Sequence, residues 1–157
     1  MINEVNGVKN LIPSRAAMKT VYWIVGVLAG LWIIITVLKL VFVGEIKLTT
    51  FFIHVIVYGL TAGVLIPGFF GKSHLSVSER DIVCVKGVLT DRKVYLPMDA
   101  VRSVTMVVTP FGEYTGMNII VFNAMGSRLI VWFLDKEDCI DLYGYVNELI
   151  MKRNAEI

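Results

Sequence analysis

The stretch Val21-Tyr-Trp-Ile-Val-Gly-Val-Leu-Ala-Gly-Leu-Trp-Ile-Ile-Ile-Thr-Val-Leu38 holds 18 consecutive residues without Asp, Glu, Lys, Arg or His. A second stretch, Leu48 to Gly71, runs for 24 residues without Asp, Glu, Lys or Arg. A bilayer core about 30 Å thick needs about 20 residues of helix. Both stretches therefore predict transmembrane helices, over 21–43 and 48–70. Lys39 lies near one end of the first, where its stem reaches the interface. The first stretch starts too late and runs too long for a signal peptide. Nor can the pair form the core of a soluble protein. Helices apolar on every face need a larger body around them than the remaining ~85 residues supply.

Composition agrees. Of 157 residues, 56% are apolar and 18% charged, with mean hydropathy +0.71. Soluble domains run at about 45–50% apolar and about 25% charged, so disorder, collagen and a disulfide scaffold are excluded. A net charge of +2 gives no reason to expect a nucleic-acid partner.

Gly44, Glu45, Ile46 and Lys47 leave room for a short external turn only, which predicts an antiparallel hairpin with both termini on one side. Lys9, Arg15 and Lys19 stand before the first helix against Glu4, and Lys72 and Arg80 follow the second. The positive-inside rule then places both termini in the cytoplasm of a multi-pass cell-membrane protein, with 1–20 as a cytoplasmic N-terminal segment. Tyr22, Trp23, Phe69 and Phe70 read as interfacial anchors. Gly26/Gly30 and Gly59/Gly63 are Gly-x-x-x-Gly steps that let backbones approach closely. They serve either packing within the hairpin or association of two copies. His54 lies near the outer end of the second helix, in reach of the interface, and no carboxylate in the spans offers it a relay partner. Pro67-Gly68 is expected to end or kink that helix.

From about Ser73 the pattern changes to short alternating runs, which read as half-buried strands. These are His74–Val77, Ile82–Lys86 continued past Gly87 by Val88 and Leu89, and Lys93–Leu96 interrupted by Pro97. Val101–Val108 follows, then a turn over Thr109-Pro110-Phe111-Gly112. Met117–Phe122 and Arg128–Phe133 flank a five-residue hairpin loop, Asn123–Ser127. Asp135 then caps a helix whose apolar stripe is Cys139, Leu142, Tyr143, Val146, Leu149 and Ile150. Glu137 and Asp138 suit its first turn, and Lys152 and Arg153 its last. Six or seven antiparallel strands followed by a helix make an α+β order. Cys84 and Cys139 read as buried thiols, and Met106, Met117 and Met125 as core fillers.

This order resembles a pleckstrin-homology (PH) domain. It is most similar to the bacterial PH-like domain of small membrane proteins in which a two-helix hairpin comes first. Leu75-Ser-Val-Ser-Glu-Arg-Asp-Ile-Val-Cys-Val-Lys-Gly-Val-Leu89 carries the opening strand, turn and strand. Leu96-Pro-Met-Asp-Ala-Val-Arg-Ser-Val104 and Phe133-Leu-Asp-Lys-Glu-Asp138 carry the middle step and the start of the capping helix. The resemblance covers about Ser73 to Ile150. It implies an α+β membrane protein: a transmembrane hairpin, then a PH-like bent antiparallel sheet or barrel over 73–157 closed by a C-terminal helix.

Classical members that bind inositol lipids cluster basic residues in the first strand-turn-strand. Here Lys72 to Ile157 holds 10 Lys and Arg against 11 Asp and Glu, interleaved. Specific headgroup binding is therefore not the first expectation. No phosphate loop, His-Glu-x-x-His or Gly-x-Ser-x-Gly occurs in the sequence, and Asp135, Glu137 and Asp138 are explained by capping. The expected function is a non-enzymatic, membrane-anchored interaction or scaffold module without a cofactor or metal. Its expected partners are the lipid bilayer and a second copy or another membrane protein, met through Arg102, Phe111 and Tyr114 near one loop. The alternatives are a homo-oligomeric assembly or a sensor of lipid headgroups and envelope stress.

Overall fold

A computed structural model of the chain describes residues 3–5, 8–43 and 48–155. The turn expected over Gly44, Glu45, Ile46 and Lys47 lies outside the described residues. Two strands come first, β1 (Asn3–Val5) and β2 (Val8–Leu11). Helix α1 (Arg15–Val43) follows, then α2 (Leu48–Leu60), a π-turn (Thr61–Leu65) and α3 (Ile66–Lys72). The remainder is β3 (His74–Val77), β4 (Asp81–Lys86), β5 (Arg92–Pro97), β6 (Val101–Val107), α4 (Gly112–Thr115), β7 (Asn118–Ala124), β8 (Ser127–Leu134) and α5 (Lys136–Ala155).

The helices run antiparallel. Ala17 of α1 packs with Ile66 and Phe70 of α3, Tyr22 meets Ala62, and Trp32 meets Phe51 and His54. The second helix does not end at Pro67. Proline has no N–H to give, and the ladder absorbs this one turn earlier: the Ile66 N–H reaches back five residues to the Thr61 carbonyl. Helix then continues to Lys72. Both helices are long and apolar enough to cross a membrane, at mean hydropathy 2.5 and 1.9.

The strands form two open antiparallel sheets, β1-β2-β3-β4-β5 and β6-β7-β8. Asn3–Val5 and Val8–Leu11 thus belong to the first sheet of the domain. Leu11 pairs with Leu75 and Lys9 with Val77, across the whole helical insertion. Between the sheets and α5 lies one core that includes Leu11, Leu75, Val77, Ile82, Ile120, Phe122, Leu142 and Val146, all at 2% exposure or less. The alternation expected for β3 holds, with Leu75 and Val77 inward. So does the helical stripe, whose Cys139, Leu142 and Val146 are buried.

Three contacts join the layers. Lys86 on β4 donates its Nζ to the Ile130 carbonyl of β8. Lys9 on β2 sets its ammonium 4.6 Å from the ring centroid of Tyr145 on α5. Arg153 near the end of α5 donates to the carbonyls of Met98, Asp99 and Val101 at 3.0–3.1 Å, holding the crossover between the sheets.

Four expectations are corrected. Val88 and Leu89 do not extend a strand but form a loop beside α3, because Gly87 sits where any Cβ would strike the Thr90–Asp91 backbone. Pro97 belongs to β5, tolerated because β5 is an edge strand of its sheet. The hairpin loop is only Met125-Gly126, with Gly126 at φ +77°. That turn leaves Met125 71% exposed at its tip rather than in the core.

Cys84 and Cys139 are free and buried. Burial pushes both thiols above the ordinary 9.0, opposed at Cys84 by Lys86 and reinforced at Cys139 by Asp138 and Asp135, so that Cys139 stands at about 12. An acid held protonated by folding contributes its stability fully below its unfolded pKa and loses it as pH rises toward the folded value. Thermal unfolding in mild detergent should therefore drop between about pH 9 and pH 12, and Cys139→Ala should flatten that drop. A pH profile identical in the two proteins would refute this.

Candidate functional site

Among the described residues the domain meets the helices at one end, and hydrogen bonds and an aromatic cluster hold that junction. Ser14 sets it up. Its side chain caps α1, with the Ala16 and Ala17 N–H groups 3.1 and 3.4 Å from Oγ. The same hydroxyl donates to Asp135 Oδ1 at the head of α5. The Ser14 N–H donates to the Phe133 carbonyl at 2.6 Å. One residue, 2% exposed, thus ties the start of α1 to the end of β8 and to α5.

Phe133 explains why β8 can do this. In the β7–β8 ladder Asn118 faces Leu134 and Ile119 faces Trp132, so Phe133 is a bulge residue without a partner. Its φ is +65°, the left-handed region that a phenyl side chain rarely occupies. The bulge turns the ring out of the sheet toward the helices. There it meets Phe69 edge-on, with centroids 5.8 Å apart, and Phe70 at 5.3 Å. Ala17, Ile66 and Phe70 are buried around it, and Met18, Val21, Tyr22 and Val25 close the cluster.

A second wall comes from α4. Gly116, at φ +63°, stands where a Cβ would lie 2.7 Å from Ser14 Cβ and 2.9 Å from the Ala17 nitrogen. Only glycine lets the loop approach α1 so closely. The Thr20 hydroxyl then reaches the Thr115 carbonyl at 3.4 Å. Fully buried Asn118 fixes the loop from below, donating to the Gly112 and Leu134 carbonyls at 3.1 and 2.9 Å and accepting from the Thr109 N–H at 3.3 Å. On the far flank Val88 packs on Gly68, and Lys72 pairs with Asp91 at 3.5 Å. Between these walls a narrow apolar cleft is lined by Pro13, Phe69, Ser73, His74, Lys86 and Trp132, among others.

The residues singled out from sequence fall differently. Phe111 precedes α4 and Tyr114 lies within it at this junction, 71% and 81% exposed. Arg102 is not near them. It sits at the other end of β6, against the hairpin tip, donating to Met125 Sδ at 3.0 Å. Five or six strand residues at about 3.3 Å each separate the two places, so the three form no single surface.

Gly26, Gly30, Gly59 and Gly63 are not the contact points of the hairpin, since a Cβ at any of them would meet nothing within 4 Å. The helices touch through side chains instead. Tyr22 donates to the Ala62 carbonyl at 3.0 Å, beside the π-turn. His54 stacks on Trp32 at 4.3 Å with planes 14° apart, its Nδ1 2.8 Å from the Thr50 carbonyl. Of the four expected anchors, Trp23 is 75% exposed while Phe70 is buried in the junction; Tyr22 and Phe69 pack against it. Asp135 keeps its predicted place at the head of α5, with the Cys139 N–H donating to its carbonyl at 2.9 Å.

Sequence reading missed Ser14, Phe133, Gly116 and Asn118. Pro13-Ser14 before Arg-Ala-Ala was a legible helix start, but the other three act through backbone positions that pattern does not show. Two substitutions test the junction by thermal unfolding in detergent. Ser14→Ala should cost about 1 kcal/mol through the lost cap and carboxylate bond. Both Phe133→Ala and Phe133→Gly lose the ring, but glycine is at ease at positive φ, so Phe133→Gly should be the more stable by about 1 kcal/mol. The opposite order would show that the bulge is not strained.

Comparison with known proteins fits this architecture. No curated protein and no solved structure matches the chain. The family model described as "Bacterial PH domain" matches residues 7–150, which takes in β2, both long helices, every later strand and most of α5. The chain belongs to the bacterial PH domain family.

Proposed function

We propose that this protein is a non-enzymatic interaction or scaffold module held at the cytoplasmic face of a bacterial membrane by its helical hairpin. The observation that carries the reading is the contrast between the two halves of α1. Its foot, Ser14 to Thr20, is bonded into the domain, while none of its most apolar window is buried. Side chains such as Ile33, Ile34 and Ile56 stand 54–58% exposed, which in water would be an untenable apolar surface. The apolar stretch of 18 residues from Val21 measures about 27 Å of helix, close to the bilayer core of about 30 Å. The antiparallel pair then returns the chain to the side from which it started, and the excess of Lys and Arg there favours the cytoplasm.

A PH-like domain fixed in this way offers surface, not chemistry. Its exposed edges, β5 and β6 among them, suit addition of a strand from another protein. Crosslinking in native membranes, followed by recovery of the tagged full-length chain, should yield defined protein partners. The same profile from a chain lacking 73–157 would defeat the scaffold reading. The anchor is tested separately: the protein should stay in the membrane pellet after alkaline carbonate washing, and a C-terminal tag should resist protease added outside intact cells.

One observation favours a second reading, a homo-oligomer. The glycine steps of both helices are open, so each leaves a surface where a second copy's backbone can approach. Gly59→Ile with Gly63→Ile has room within one chain. A smaller particle mass in detergent would then report lost association rather than misfolding. An unchanged mass would remove the oligomer built on these glycines.

A further inference from the structure

The junction end of the domain carries large apolar side chains with nothing to cover them. Leu89 is 78%, Phe111 71% and Tyr114 81% exposed. Single exposed apolar residues are ordinary; the position of these three is not. Leu89 follows Val88, which is seated on Gly68 of α3, and Asp91 two residues on is paired with Lys72 at the end of that helix. Tyr114 precedes Thr115, whose carbonyl is bonded to Thr20 of α1. Phe111 caps the other end of the same short helix, its carbonyl accepting from Tyr114 and Thr115. Both loops are therefore pinned to the feet of the helices, at the level where their apolar surface begins at Trp23, itself 75% exposed.

We propose that loops 87–91 and 108–116 lie in the headgroup region of the same bilayer that the helices cross, with Leu89, Phe111 and Tyr114 as interfacial anchors. This inference rests on the membrane-spanning reading above and adds an orientation to it. The occupant of the patch is lipid because the patch is continuous with the surface of the helices. Aromatic and leucine side chains are the types that settle at that depth. Arg15 and Lys19 on the foot of α1 and Arg92 and Lys93 after the first loop are exposed at the same end. Glu113, bonded to Lys136 at 3.2 Å, and Glu137 stand there too. With mixed charge, the hold is apolar, and salt should not release it. The hairpin tip at Met125 and the end of α5 then face away from the membrane.

The test uses the full-length chain in lipid vesicles. The native thiols are buried, so a single introduced cysteine can carry an environment-sensitive nitrobenzoxadiazole probe. The sites are Leu89→Cys, Phe111→Cys, Ile34→Cys inside the span, and Met125→Cys at the far tip. Lipid carrying a spin label just below the headgroup should quench the probes at 89 and 111 about twofold or more, independent of salt. It should also quench 34 and leave 125 unaffected. Quenching at 34 without quenching at 89 and 111 overturns this inference and leaves the anchor standing. No quenching at 34 overturns the anchor itself. Equal quenching at 111 and 125 overturns the orientation.

Discussion

Two helices that are apolar on every side need a covering, and the rest of this chain is too small and too busy to provide one. Strands β2 to β8 each commit buried residues to a single core shared with α5. That core leaves no apolar face over for α1 and α2. The helices and the domain therefore solve separate burial problems, one against lipid as proposed and one against the chain itself. Among the described residues they meet at their feet, around Ala17, Ile66, Phe70 and Phe133.

What makes that meeting rigid is its mixture of forces. A flexible tether needs none of this. Here a cap, a carboxylate bond, a backbone bond and an aromatic cluster converge on Ser14 and Phe133. Each is worth about 1 kcal/mol. Because they share residues, loss of one weakens the rest, and they are not additive. The strained φ of Phe133 is the cost of aiming a sheet residue at a helix pair. A module whose task is to present a surface at a fixed height and tilt gains from such a joint. A tethered domain free to sample all orientations would not need it.

The regular parts were legible because period is a strong signal. The charge-free run from Val21, the alternation of Leu75 and Val77, and the stripe from Cys139 to Val146 each repeat one geometric rule over several residues. The junction was not legible because its members act once. β1 and β2 are three and four residues long, too short for a period, and β3, the partner that ties β2 into the sheet, lies beyond both helices. Val88 and Leu89 look like strand residues, but a glycine pinned against Thr90 ends the strand before them. The Gly-x-x-x-Gly steps state that a backbone can come close and say nothing about whose. Arg102 and Phe111 look adjacent on a page, yet a strand sets them at opposite ends of the domain.

The split of the domain around the hairpin also bears on how it assembles. Leu11 must find Leu75, closing a loop of roughly 60 residues whose entropy cost grows only as the logarithm of its length. A helical hairpin that forms first meets most of that cost before the strands pair. Once the helices stand antiparallel, Ala17 is already against Ile66 and Phe70, and β2 and β3 begin a few residues from those contacts. The hairpin therefore acts on the sheet as a cross-link would, holding β2 and β3 in reach of each other. On this view the helices do more than fix an address. The β1–β2 side of the sheet exists because they bring it home, and a chain cut before Ser73 would expose the β3 edge and the Leu75 face that Leu11 covers.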